Sequence, residues 1–486
     1  MKYSTPEKHG IKSEWIREYI EVLESSNLST HNFIIMRNDE ILFENYWEPF
    51  DKDFLHRMYS VTKSFVALAI GFLEQEGKIS LDDPIIKYFP EELKNSTDEN
   101  FKNQTIRHML MMATAKPCTY WFEARTPNRV AHYFENNINS RPSGTIFNYD
   151  SSGSFVLCAL VERVTGKDFM EYSREKYLDK IGFSKEAYML KCPGGHSWGD
   201  SALLCTPTDL LKTAMFCMNK GKWNGEQLLN EEFVTAAISR QIDNDDIGIN
   251  DFDKQGYGYM FWRTYDNSFF FNGMGCQLAV CVPDKKIIMV YNGDNQGNPY
   301  AKKIIFDNFF NMIVRRAEER AVEETGHKKL QEYTKELKLF SVKGKVKEKT
   351  AEKINGVTYV MSENPMGIEK MRLSFDENGG VLYYINEQGE KEIPFGMCEN
   401  RFSFFPQEGY SDRVGSEKGD RLYKCAASAA WVSDNQLFIK IQIIDTYFGV
   451  LNITLGFDDD KIGVLMNKAA EDFLSEYQGF AGGIKI

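Results

Sequence analysis

Ser60 and Lys63 stand three residues apart in Met58-Tyr59-Ser60-Val61-Thr62-Lys63, and the run after them, Ser64 to Leu73, is apolar almost throughout. Residues three apart on a helix share a side, so Ser60 Oγ and Lys63 Nζ can meet. A helix that is apolar on every face belongs inside a protein. The serine falls where this helix starts, and there free N–H groups and the positive dipole end favour a developing anion. Partial desolvation beside that same end favours the neutral amine. A serine with a neutral amine in reach is a nucleophile with its base attached. The spacing alone proves little, because roughly two Ser-x-x-Lys runs are expected by chance in a chain of this length. The other one, Ser173-Arg174-Glu175-Lys176, lies in a charged stretch and is expected to be a solvated helix face.

A rival serine is Ser197 in Gly195-His196-Ser197-Trp198-Gly199, which fits the Gly-x-Ser-x-Gly elbow. That chemistry needs a strand before the serine, a helix directly after it and a histidine further on. Here Cys192-Pro193-Gly194 comes before, the next helix start is Thr206, and the only later histidine is His327. A glycine-rich loop is the expectation.

Three more stretches carry polar or aromatic side chains suited to a site. Tyr149-Asp150-Ser151 follows a Pro/Gly turn and leads into an apolar helix from Phe155 to Val164. A tyrosine at a helix entrance is a structural residue or, beside hydroxyls, a second base or proton relay, and both readings stay open. Asn272-Gly273-Met274-Gly275-Cys276 separates predicted strands at 269–271 and 277–282. Glycines there let a ligand come close to the backbone. Thr119-Tyr120-Trp121-Phe122 is an aromatic cluster on a predicted loop, either a core plug or a substrate wall.

The elements that must position these residues follow from periodicity. Ile11, Trp15, Ile16, Ile20 and Leu23 have helical spacing, and Phe33–Met36 and Ile41–Phe43 around Arg37-Asn38-Asp39-Glu40 give a hairpin. Thr105 to Met112 reads as a short helix. Thr206-Pro207-Thr208-Asp209 is a capped helix start, with a helix running to about Met218. A strand at 286–291 and a helix at 302–314 complete this part, the helix covering the sheet. Residues 315–353 are densely charged, which places a helical linker there; beyond it lie short alternating strands with turn signals such as Asn378-Gly379. Seven to nine such strands suggest a meander closing into a barrel.

At 486 residues two or three domains are expected. A net charge of −12 argues against nucleic-acid or anionic-membrane partners, and no run approaches a membrane span. The first ten residues are polar and show no signal-peptide pattern; nine scattered cysteines without Cys-x-x-Cys fit a reduced cytoplasmic setting. Seven histidines without ligand spacing predict no metal, and no cofactor is expected.

With these stretches in order, the chain resembles the serine β-lactamase-related hydrolases, the family of penicillin-binding proteins, class C β-lactamases and many esterases. Ser60-Val61-Thr62-Lys63 matches its Ser-x-x-Lys signature. Tyr149-Asp150-Ser151 is similar to Tyr-x-Asn, with Ser151 in place of Asn, and Gly273-Met274-Gly275, followed by Cys276 and Gln277, stands where Lys-Thr-Gly is found. Thr5–Gly10, Leu81–Pro84 and Leu204–Leu210 also resemble the soluble branch of the family. The resemblance implies an α+β catalytic domain over about residues 1–318, a helical subdomain packed on an antiparallel sheet. A charged linker at 319–353 and a lipocalin-like barrel at 354–486 would follow. It implies acylation of Ser60, proton handling by Lys63 and Tyr149, and an oxyanion hole made by the backbone N–H groups of Ser60 and Cys276. Ser151, Gly273, Met274, Gly275, Gln277 and Trp121 would line the substrate. A lysine in the third motif would help bind a carboxylate; Gly273 and Met274 cannot. The expected substrate is therefore a small ester or amide whose recognised end is neutral. Peptidase or β-lactamase-like activity on D-amino-acid substrates, and a catalytically silent ligand binder, are the alternatives. Oligomeric state stays open.

Overall fold

The computed structural model describes residues 1–486 apart from 93–97, 119–127, 136–138, 246–249, 325, 411–420 and 472. Trp121 and its aromatic neighbours therefore lie outside the described residues. The chain forms two compact units, Met1–Asn295 with Pro299–Lys338, and Gln296–Asn298 with Leu339–Ile486. Within the charged 319–353 segment, the helix His327–Thr334 belongs to the first unit and the helix Lys349–Ile354 to the second.

The first unit is built on a seven-stranded sheet. Its strands are β1 (Lys2–Tyr3), β2 (Thr30–Arg37), β3 (Glu40–Tyr46), β4 (Trp262–Thr264), β5 (Ser268–Gly273), β6 (Gln277–Val282) and β7 (Ile287–Gly293), in the order β1-β3-β2-β7-β6-β5-β4. Only the β1–β3 pair is parallel. Strand β2 is buried along its whole length because both sheet faces are covered. Phe33 and Ile35 join one core with the helix Ser13–Ser25 and Ala301–Phe310, while Ile34 and Met36 join the other with the helical layer. The sequence expectation of one helix over 302–314 resolves into an α-helix, Ala301–Asn308, continued by a π-helical turn, Phe309–Val314.

The helical layer centres on Thr62–Gln75, buried from Thr62 to Leu73, as an all-round apolar helix should be. Against it packs Ser151–Thr165, and Pro207–Met218 starts with the Thr206–Asp209 capping box. The second Ser-x-x-Lys run is not a solvated face. Ser173 is buried, Lys176 pairs with Glu76 at 2.5 Å, and Tyr172, Tyr177 and Leu178 hold the segment against the core. No helix among the described residues is long and apolar enough to cross a membrane.

The second unit is a closed nine-strand barrel. Strands β8 (Thr358–Met361), β9 (Lys370–Phe375), β10 (Gly379–Asn386) and β11 (Gly389–Met397) run as a meander. After β12 (Arg401–Phe405), so do β13 (Tyr423–Ser433), β14 (Gln436–Ile444), β15 (Phe448–Asp458), β16 (Lys461–Ala469) and β17 (Gly479–Lys485). The two meanders meet antiparallel at β8–β17 and in a short parallel pairing of β11 with β13, Gly396 and Met397 opposite Ser428 and Ala429. β12 adds to β13 alongside. Along β16 the alternation buries Ile462, Val464 and Met466, and the interior is filled by side chains such as Trp431, packed between Phe375 and Phe457.

Candidate active site

Ser60 lies in a 3-10 turn, Tyr59–Val61, that runs directly into the central helix. Tyr59 takes φ 45°, a left-handed conformation that a bulky residue holds only under constraint. The constraint is visible on both sides. Met58 N donates to Leu203 O at 2.8 Å and Thr62 Oγ1 accepts from Leu203 N at 3.1 Å, tying the turn to the strand Leu203–Cys205. On the other side β5 presses on the turn at Gly273, where a Cβ would sit 2.4 Å from Met58 O. Only glycine lets the sheet edge come this close.

Lys63, one helical turn on, is buried while Ser60 is half-buried. Lys63 Nζ lies 3.0 Å from Ser60 Oγ and donates to the carbonyl oxygen of Asp200 at 2.7 Å. It also stands 5.1 Å from the centre of the Tyr149 ring. So one ammonium or amine touches the serine, a main-chain acceptor and the face of the tyrosine. Such a group can take up the hydroxyl proton as the oxygen attacks. Asp200 owes its position to Gly199, where a Cβ would fall 2.1 Å from Cys158 Cβ on the Ser151–Thr165 helix. The Asp200 side chain is buried, and among the described residues its two oxygens meet no hydrogen-bond donor. Burial pushes its pKa up, against the pull of Lys63, Arg129 and Arg57.

Tyr149 is half-buried, with its ring 5.7 Å from that of Trp262. The next residue is the helix cap: Asp150 Oδ1 accepts from Gly153 N at 2.9 Å and from Ser152 Oγ, and Oδ2 accepts from Thr114 Oγ1 at 2.8 Å. Burial still raises its pKa against these donors. This cap fixes where the tyrosine leaves the helix. Ser151 is the first helical residue and lines a cavity with Tyr149.

The turn from Gly273 to Gln277 closes the opposite side. Gly275 and Cys276 both take positive φ, 72° and 76°. The Cys276 side chain is buried in the core behind the sheet, which pushes its thiol up to about 12, so the residue faces the site through its backbone alone. Met274 is half-buried. Gln277 is buried, and its Nε2 donates to Met274 O at 3.2 Å and Gly293 O at 2.7 Å, while Oε1 accepts from Asn292 at 2.9 Å. Its carboxamide braces the turn. The structure thus brings Ser60, Lys63 and Tyr149 into mutual contact through the lysine, and sets the Gly273 turn against Met58.

Ser197, the rival serine, is buried in a loop. Its Oγ accepts from Lys191 Nζ at 2.8 Å and donates to Asp168 at 3.3 Å. No strand leads directly into it, the strand Tyr188–Met189 ending well before, and no helix directly follows it. Asp150, Asp200 and the Asp200 carbonyl went unread in the sequence; Asp150 had a signal, an acidic residue just before an apolar helix, whereas a carbonyl has none.

The beta-lactamase family model matches residues 16–305. The chain belongs to the beta-lactamase family. It is a serine hydrolase of that family, with a barrel domain attached. It is 24% identical over 265 residues to the 6-aminohexanoate-dimer hydrolase of Paenarthrobacter ureafaciens, covering 51% of this chain and 67% of that protein. The octameric penicillin-binding protein homologue from Pyrococcus abyssi superposes with a TM-score of 0.50 at 16% identity, covering 97% of this chain and 99% of that one. The structure of SurE gives 0.51 at 16% identity, with 80% and 93% covered. At these identities the two structures establish the fold.

Proposed function

We propose that this beta-lactamase-family protein hydrolyses a small amide or ester through an acyl-enzyme on Ser60. The observation that carries the reading is the contact of Lys63 Nζ with Ser60 Oγ at 3.0 Å, the hydroxyl half-open and the lysine buried. Ser60 Oγ attacks the carbonyl carbon of the substrate and its proton passes to Lys63. The carbonyl oxygen becomes an oxyanion held by the backbone N–H groups of Ser60 and Cys276, donors that need not reorganise. Collapse breaks the bond to the leaving amine or alcohol, which takes a proton relayed through Tyr149. Water then attacks the acyl carbon, the same groups run in reverse, and the carboxylic acid leaves with Ser60 restored. The relative named for a 6-aminohexanoate dimer, an amidase, supports the amide half of the reading. The Gly273-Met274-Gly275 turn offers no cation, so it reads no carboxylate. The nine cysteines are all free thiols, which supports a reducing, cytoplasmic setting. The substrate is a small molecule rather than a nucleic acid or membrane.

The test is hydrolysis of short-chain p-nitrophenyl esters and matching anilides by wild type, Ser60→Ala and Ser197→Ala. Turnover vanishes in Ser60→Ala and persists in Ser197→Ala. The reverse pattern would put the chemistry at the buried loop serine and sink the proposal.

A further inference from the structure

A cavity of about 490 Å³ opens beside Tyr149, on the side of the ring's own helix entrance. Its wall includes Lys116, Arg141, Asn139, Asn148, Tyr149 and Ser151. That volume suits a small molecule. Its electrostatics are uneven. The carboxylate in the wall, Asp150, already accepts from Thr114, Ser152 and Gly153 at the start of its helix. Arg141 is half-buried and in no ion pair among the described residues. Its main-chain N–H donates to Ala115 O at 3.0 Å and its Nε to Thr114 O at 3.3 Å, so the guanidinium is held in place. Among the described residues its terminal nitrogens meet no acceptor, and Nη2 is enclosed without one. A partly buried cation is ordinarily paired. Here the fixed cation, with Lys116 adding charge of the same sign, borders the cavity next to the tyrosine of the site.

We propose that this cavity is a subsite for a substrate carboxylate, so that the preferred substrate is a small amide or ester bearing an anionic end. A planar guanidinium held at Nε, with Nη2 enclosed, keeps Nη1 for one carboxylate oxygen, a charge-assisted contact. Asn139, Asn148 and Ser151 supply further donors around it. The inference rests on the acyl-serine reading. It revises the expectation of a neutral recognised end, which weighed only the sheet-edge turn. The anion is read instead in the cavity beside Tyr149.

The experiment uses the full chain and two matched pairs. Mono-p-nitrophenyl glutarate against p-nitrophenyl pentanoate puts the carboxylate on the acyl side. 4-Acetoxybenzoate against phenyl acetate puts it on the leaving side. Wild type favours the anionic member of at least one pair in kcat/KM. The anionic-to-neutral ratio for that pair falls about 10- to 100-fold in Arg141→Gln, the worth of one hydrogen bond to a charged group, and less in Arg141→Lys. Lys116→Gln lowers it in the same direction, and covers the case in which Arg141→Gln fails to fold. Preference for the neutral member in both pairs overturns the proposal. So does a ratio that Arg141→Gln and Lys116→Gln leave unchanged. Loss of all turnover in Ser60→Ala is read separately, so failure of the subsite and failure of the acyl-serine reading stay distinct.

Discussion

Gly273→Ala is the substitution whose effect the geometry states most directly. The added Cβ would stand 2.4 Å from Met58 O and 2.8 Å from Gln277 Cβ, whereas ordinary contact begins at 3.4 Å. One neighbour is main chain and the other the root of a braced side chain, so neither can swing aside. Relief needs a shift of 3.4 − 2.4 = 1.0 Å between the sheet edge and the turn that carries Ser60. That shift separates the N–H of Ser60 from the N–H of Cys276, since the two lie on opposite sides of the contact. A misplacement of about 1 Å costs roughly 100-fold in rate, about 2.7 kcal/mol of barrier. Overpacking costs stability as well, about 1–3 kcal/mol. The assay is kcat and KM on p-nitrophenyl acetate beside a thermal melt, with Gly456→Ala as control, since a Cβ there meets nothing within 4 Å. The expected result is a folded Gly273→Ala protein with kcat down about 100-fold and KM changed far less. A folded variant with wild-type kcat would refute the claim that this glycine sets the spacing of the oxyanion donors.

Lys63→Ala removes the group in contact with Ser60 Oγ and lowers kcat by about 10²- to 10⁴-fold; near-normal single-turnover acylation would end its role as base. Asp200→Asn keeps the main-chain carbonyl that holds Lys63, so kcat stays within a few-fold of wild type. The same variant changes stability in a pH-dependent way. Burial raises the folded pKa of Asp200 above its unfolded value, so ionisation costs stability, a cost absent below the unfolded pKa and growing as pH rises through the folded one. The neutral carboxamide removes that cost: the variant melts higher than wild type at neutral pH, and the gap closes on acidification, whereas a gap that widened at low pH would reverse the sign. Nitrocefin, a bulky bicycle whose carboxylate would have to be gripped at the third motif and not in the small cavity beside Arg141, is hydrolysed without saturation, and efficient saturable turnover would show that the missing lysine was given too much weight.

How much of this was open to inspection in the sequence depended on whether a residue acts by type or by position. Ser60 and Lys63 were legible because a helix brings residues three apart together whatever surrounds it, and the apolar run showed that helix to be buried. The Thr206–Asp209 cap was legible for the same local reason. The barrel and its closure could be read as a count of alternating strands, but not which strands close it, since that depends on residues of β11 and β13 meeting in parallel across a gap in sequence. Gln277 was placed at the substrate because it follows the third motif; only the pairing of β6 with β7 shows its carboxamide turned into the sheet, between Gly293 O and Asn292. Ser173 was misjudged because charge density in its segment hid Tyr172, Tyr177 and Leu178, which carry it inward.

The one acceptor that the sequence could not announce also fixes where the amine of Lys63 points. Lys63 is buried and donates to a carbonyl oxygen, not to a carboxylate, and no carboxylate oxygen among the described residues lies within ion-pair distance of it. A single carbonyl oxygen, at 2.7 Å, sets the direction of the amine. The Asp200 carboxylate is near enough for its own ionisation to be favoured by Lys63, yet it is out of contact, and it shares its surroundings with Arg57 and Arg129. Those two buried cations draw on the same negative charge, so it is not Lys63's alone to use. The chain thus holds Lys63 by main-chain geometry, which Gly199 makes possible by letting the Asp200 turn close on Cys158. Its orientation comes from a main-chain dipole rather than from an ion pair.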